Sequence, residues 1–191
     1  MTPFPLSRRI ARARPARLLI LLLIVSVLAF ADVRNCTCEL ANPASMAKHE
    51  CALCREAEKQ PRDIQVFFLK DNNPHKPNRW LALPRAHAHT LADLTPAERL
   101  ALWTGAIRKA HELWGEQWGL ALNGEIRRSQ CHLHIHIGKL LEGTETGQFM
   151  VVDGPAGIPV PQDGTGLLIY PVGGKLHVQM GAQAPELSLM R

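Results

Sequence analysis

Near the middle of the chain, in "RSQCHLHIHIGKL", His132, His134 and His136 alternate with Leu133, Ile135 and Ile137. Successive side chains of an extended chain point to opposite faces. The spacing therefore puts three imidazoles on one face, roughly 6.5 to 7 Å apart, and three aliphatics on the other. Burying three imidazoles together would demand three sets of hydrogen-bond partners, which makes the face a candidate for chemistry. Two kinds of chemistry fit. Neutral imidazole is a common metal ligand, and a His-x-His pair on a strand can reach one Zn²⁺, although no Asp or Glu follows until Glu142. A neutral imidazole near pH 7 is also a competent nucleophile toward phosphorus, with a flanking imidazole to shuttle protons and no metal needed. A non-catalytic metal-binding module built on His132, His134 and His136 is thus the alternative to an enzyme.

The cysteines form a second constellation. Cys36 and Cys38 stand in "CTC", Cys51 and Cys54 in "CALC", and Cys131 lies next to the histidines. Disulfides between the first two motifs are one reading, suited to an oxidising compartment, and a structural zinc site is the other. Cys131 reads as a small packed residue rather than a second nucleophile.

The N-terminus bears on the compartment. Residues 1–31 have the form of an export signal: Arg8, Arg9, Arg12, Arg14 and Arg17, then the apolar run Leu18 to Ala31 ending in the small-x-small pattern Ala29-Phe30-Ala31. That run is shorter than the roughly 20 residues that span a bilayer, so cleavage is the first expectation and a membrane anchor the second. Such a protein would be periplasmic or secreted. The leader carries five Arg and no acid, which leaves 17 Lys and Arg against 17 Asp and Glu in the remainder. A neutral domain lacks the cationic surplus that displaces counterions from nucleic acid, which excludes nucleic acid as a partner.

The remaining residues, about 160, suit one domain. A Cys-rich segment spans 32–63, followed by a core over 64–140. "IQVFFLK" (64–70) and "RWLALP" (79–84) read as strands joined by a turn-rich link. A helix should start at the Thr95 cap, with Pro96 first and Glu98 completing a capping box, and run on Leu100, Trp103, Ile107, Ala110 and Trp114 until Gly115. "GLALN" and "HLHIHI" form a second strand pair. The chain then turns Gly- and Pro-rich through Gly166, and residues 141–191 close with a hairpin turning at Gly173-Gly174, part of the same domain. The expected class is α+β, an antiparallel sheet packed on one long helix with a C-terminal β-hairpin extension.

The pattern His-φ-His-φ-His-φ, with φ apolar, resembles that of the histidine triad (HIT) superfamily of nucleotidyl hydrolases and transferases. The likeness extends over "FFLKDNNPHKPNRWLALPRAHAHTLADL" (67–94) and "LALNGEIRRSQCHLHIHI" (120–137). Within the superfamily the combination is most similar to the CDP-diacylglycerol pyrophosphatase branch, which splits CDP-diacylglycerol into CMP and phosphatidate. The triad is followed here by Gly138-Lys139, where the family often has Pro-Arg or Ser-Cys. The resemblance implies a nucleotide-linked small molecule or lipid as substrate, a membrane surface as a place of work, and no catalytic cofactor. It is compatible with a homodimer. It makes His134 the nucleophile, flanked by His132 and His136. Gln130 and Ser129 would contact the phosphate and leaving group, Asp71 the ribose hydroxyls, and Asn123 the phosphates, while Arg127 and Arg128 would meet transition-state charge. It also implies a tetrahedral zinc site of Cys51, Cys54, His87 and His132, with His89 as the substitute for His87.

Overall fold

A computed structural model describes residues 33–191 except positions 37 and 146, so the expected leader lies outside the described residues. Among the described residues no helix is long and apolar enough to cross a membrane. The first expected strand pair forms as β1 (Val66–Lys70) and β2 (Trp80–Pro84), with Leu69 opposite Leu81. "GLALN" becomes β3 (Trp118–Leu122). The histidine strand is shorter than its alternation suggests, since β4 spans only Ile135–Lys139. The chain bends at Cys131 and His132, where the Cys131 N–H is drawn to the Glu50 carbonyl and the Leu133 N–H to that of Ala88, so neither joins the ladder. A short strand, β5 (Met150–Val152), lies in the stretch read as Gly- and Pro-rich connection. β6 (Leu167–Val172) and β7 (Lys175–Met180) form the expected hairpin, and Gly173 and Gly174 both take the positive φ that its tight turn requires, 58° and 78°. All seven strands join one antiparallel sheet in the order β1-β2-β4-β3-β6-β7-β5, so residues 141–191 extend the sheet of the core through the β3–β6 pairing.

Among the described residues three α-helices accompany the sheet: α1 (Pro43–Met46), α2 (Ala52–Glu58) and α3 (Pro96–Trp114). α3 has the capping box foreseen at Thr95 and Glu98 and ends at Gly115. It lies on one face of the sheet, where Leu102, Trp103, Ala106 and Ala110 pack with Ala82, Leu120, Leu122, Ile135, Ile137, Leu167, Ile169 and Val178. Period-2 alternation sends the even or odd partner of each strand to this core and the other to the far side. Ile135 and Ile137 accordingly face α3, and His136 faces away, between Leu81 of β2 and Ala121 of β3.

Among the described residues the far face has no long helix, and two terminal segments cover it. Toward β1, α2 packs Ala57 and Leu53 on Phe67, Leu81 and Leu83. The segment carrying α2 is tied down by the disulfides Cys36–Cys131 and Cys38–Cys51. Cys131 is therefore half of a cross-link rather than a packed free thiol, and buried Cys54 is left as a thiol. Toward β6, Leu189 packs on Ala121, Leu168 and Tyr170. The tail can lie this low because Gly119 and Gly138 are paired across β3 and β4, and a Cβ on Gly119 would stand 2.5 Å from Leu189 Cδ2. Arg79, 1% exposed, holds the tail. Its Nε donates to the Met190 carbonyl (2.8 Å), its Nη2 to those of Leu189 (2.7 Å) and Glu186 (2.6 Å), and its Nη1 pairs with Glu186 Oε2 (3.3 Å).

Replacing Arg79 with Met should cost about 3–5 kcal/mol, because three carbonyls and a carboxylate lose a buried cationic donor. A lowered urea midpoint, with the C-terminal segment becoming the first site of limited proteolysis, is the expected result.

Candidate active site

Between the two terminal coverings the far face stays open as a cleft of about 280 Å³. Its floor holds His134, His136 and Leu81. Its walls come from α2 and the residues before it (His49, Ala52, Leu53), the β1–β2 link (Asp71, Asn72, Asn73, Lys76), the loop before the histidines (Arg127 to Gln130), Asn123, and Glu186 of the C-terminal turn Pro185–Ser188. The cleft thus gathers eight of the residues to which the resemblance gives roles: His134, His136, Gln130, Ser129, Arg127, Arg128, Asp71 and Asn123.

His134 is 5% exposed. Its Nδ1 donates to the backbone carbonyl of His132 at 2.8 Å, which places the lone pair of the neutral ring on Nε2. Burial lowers its pKa to about 4, against the opposing effect of that hydrogen bond, so the ring is neutral near pH 7 and its Nε2 is available for bonding. The His136 ring meets it edge to face, centroids 5.0 Å apart. Burial also pushes His136 well below its usual range, with His134 adding to the effect and Glu186 opposing it.

His132 departs from the expected arrangement. It does not line the cleft, because the bend at Cys131 and His132 breaks the regular alternation and turns the ring toward α2 and His87. Its Nε2 donates to the Pro84 carbonyl at 2.8 Å. Nδ1, which then carries the lone pair, is buried without a hydrogen-bond partner among the described residues. Burial lowers the pKa of this ring to about 4 as well. One donor atom each of Cys54, His87 and His132 lies within 4.8 Å of the others, and His134 and His136 do not belong to this group. Three of the four expected zinc ligands therefore fit a metal. Cys51 does not, because its sulfur is bonded to Cys38. Glu58, whose Oε1 is 2.8 Å from His87 Nε2, is the nearest carboxylate to that ring, while the carbonyl of His89 accepts from Arg128 Nη1. The three histidines consequently serve two separate places.

Other expected residues also have duties within the fold. Gln130 donates through Nε2 to the His49 carbonyl (3.0 Å) and accepts from the Leu53 N–H (3.2 Å), which fastens the α2 segment to the triad loop. Asn123 Oδ1 accepts from the Glu186 N–H at 3.2 Å. Asp71 Oδ1 accepts from the Asn73 N–H at 2.9 Å and shapes the β1–β2 link. Arg128, 3% exposed, keeps its Nε buried without a partner among the described residues. Glu186, Lys76 and His49 were not foreseen. Glu186 is about 50 residues from the histidines in a stretch with no local pattern that points to a site, and Lys76 reads as one more polar residue of a turn.

The buried imidazoles should make the metal-free protein sensitive to acid. Between about 4 and 6.5 the unfolded chain binds protons that folded His132 and His134 refuse, so stability rises with pH across that window and is lost as pH falls through it. Thermal melts in chelator should show the melting temperature dropping from pH 6.5 to pH 4, with a shallower drop in His134→Gln.

The chain matches no family model and no curated protein, so the functional reading rests on the geometry of this cleft together with the sequence resemblance.

Proposed function

We propose that the chain is an exported HIT-type phosphohydrolase that cleaves a nucleoside diphosphate-linked compound through a nucleotidyl-histidine intermediate on His134. The observation that carries the reading is the His134 ring itself, with Nδ1 fixed on a main-chain carbonyl, Nε2 left as the nucleophilic nitrogen, and a polar cleft in front of it. The fold is read as HIT-like on the same grounds. CDP-diacylglycerol, split into CMP and phosphatidate, is the substrate that the resemblance singles out, and a lipid substrate would bring the protein to a membrane surface.

The steps balance as follows. The Nε2 lone pair attacks the α-phosphorus, a P–N bond forms, and the bridging P–O bond breaks, its electron pair leaving with the departing phosphate. The ring gains positive charge, which strengthens its Nδ1–H bond to the His132 carbonyl. Water then attacks phosphorus from the side opposite the ring, a P–O bond forms, and the P–N pair returns to Nε2 as the water's proton is released. Buried Arg128 and the N–H and O–H donors of Ser129 and Asn123 line the region where phosphoryl charge develops, and preorganised donors are worth most in a water-poor cleft. Asp71, at the mouth formed by the β1–β2 link, has paired acceptor oxygens suited to ribose hydroxyls.

A zinc ion held by Cys54, His87 and His132 would be structural, fixing α2 against the triad loop. The chemistry of the cleft itself requires none. The alternative, a metal-binding module without catalysis on the face of His132, His134 and His136, finds less support, because His132 groups with Cys54 and His87 while His134 and His136 lie outside that group.

His134→Ala should abolish release of nucleoside monophosphate from a panel of CDP-, UDP- and ADP-linked compounds while circular dichroism stays that of a folded protein. Acid quench of the wild type should trap an acid-labile phosphorus adduct on this ring, and full activity in the variant would overturn the mechanism. Asp71→Ala should raise KM for ribonucleotides and bring ribo- and deoxyribo-substrates to nearly equal kcat/KM, because a carboxylate left unpaired is what rejects the deoxy form.

A further inference from the structure

Glu186 reaches the cleft from the C-terminal segment and meets three cations or potential cations there. Its Oε2 lies 2.6 Å from Lys76 Nζ, 3.3 Å from Arg79 Nη1 and 3.6 Å from His136 Nε2. Its backbone is pinned as well, since its N–H donates to Asn123 and its carbonyl accepts from Arg79. The opposite nitrogen of His136, Nδ1, is buried without a partner among the described residues. The setting of this ring therefore depends on its edge-to-face contact with His134 and on what meets Nε2. A separation of 3.6 Å is longer than a hydrogen bond, but contacts of this kind are often long before substrate closes the site.

We infer that Glu186 is a positioning residue of the active site: its carboxylate holds the His136 ring with Nε2 toward the cleft and raises the ring's affinity for a proton, so that the C-terminal segment completes the triad. The inference rests on the phosphoryl-transfer reading above. Glu186 is not itself a proton acceptor. Burial works against its ionisation, but His136, the Lys76 ammonium and the Asn123 hydrogen bond hold its pKa down at about 2, so it is a fixed negative charge near neutrality. A fixed carboxylate beside an imidazole orients the ring and stabilises its cationic form. In the first half-reaction the imidazolium form of His136, favoured by Glu186 and by the bound phosphates, gives its Nε2 proton to the departing oxygen as the P–O bond breaks, which leaves the neutral ring. In the second, the attacking water gives a proton back to His136 as its oxygen bonds to phosphorus and the P–N bond of His134 breaks.

The charged and titratable groups facing His136 are Glu186 from the C-terminal turn, Lys76 and Arg79 from the link into β2, and His134 from its own segment. Glu186 raises its proton affinity and the other three lower it, which gives two variants with opposite expected signs. Histidine side-chain NMR titration of the full chain, with the His136 signal assigned by its loss in His136→Gln, reads the midpoint without relying on turnover. Glu186→Gln should move the His136 midpoint down by about one pH unit, a tenfold loss of proton affinity. Lys76→Met should move it up. With a nucleotide substrate, Glu186→Gln should lower kcat about tenfold at little change in KM and shift the alkaline limb of the pH–rate profile to lower pH, and Glu186→Asp should recover most of the rate. If Glu186→Gln does not fold, an unmoved midpoint in Lys76→Met overturns the inference. A folded Glu186→Gln with the wild-type midpoint and limb also overturns it, and identifies Glu186 as a latch for the tail alone. Midpoints that move as expected in a protein with no turnover on any substrate would support the Glu186–His136 pairing while overturning the phosphoryl-transfer reading.

Discussion

A seven-stranded antiparallel sheet has two apolar faces to cover, and among the described residues there is one long helix to do it. The helix α3 takes one face. The other must be shielded by whatever else the chain supplies, and it is shielded by the residues before β1 and after β7. Neither segment has enough regular structure to stay in place by its own hydrogen bonds, so each is fastened to the sheet at defined points. The N-terminal segment is cross-linked at Cys36–Cys131 and hydrogen-bonded through Gln130. The C-terminal segment is held by the buried guanidinium of Arg79 and lies on the paired glycines Gly119 and Gly138. The cleft exists because these two coverings stop short of each other over β4.

This arrangement explains why the site is built from so many separate parts of the chain. His134 and His136 lie on the floor, with a wall from each terminal segment and a third wall from the β1–β2 link. Two of these fastenings also touch the site. Gln130 lines the cleft, and Arg79 shares Glu186 with His136. Stability and the shape of the cleft are therefore coupled here through the same residues, and loosening a covering would shift a cleft wall.

The histidine run shows how one local pattern can serve two ends. Alternation in an extended chain holds as long as the ladder holds, and here the ladder begins at Ile135. Before that point the backbone amides are committed to Glu50 and Ala88, so His132 is carried to the other side of the loop, beside Cys54 and His87. The carbonyl of His132 nevertheless remains in place to accept from His134 Nδ1, so the bend that removes its side chain from the cleft still contributes to the tautomer of the proposed nucleophile.

Much of this was legible in the sequence. The capping box at Thr95 and Glu98, the strand cores, the Gly173-Gly174 turn and the separation of Ile135 and Ile137 from His136 follow from spacing and side-chain chemistry that act within a few residues. The residue types able to do chemistry were also visible, because histidines, arginines and an aspartate near one strand pair are few. Other features were decided by tertiary packing alone. The pairing of Cys36 with Cys131 joins positions 95 residues apart, and it is chosen by which segment covers the bend, not by motif spacing. Glu186 gained its place beside His136 because Arg79 and the Gly119–Gly138 gap set where the tail runs. Local sequence specifies which side of a strand a residue takes. What covers that side depends on which distant segment can bury its apolar groups and satisfy its polar ones there, and that is settled only when the whole sheet is assembled.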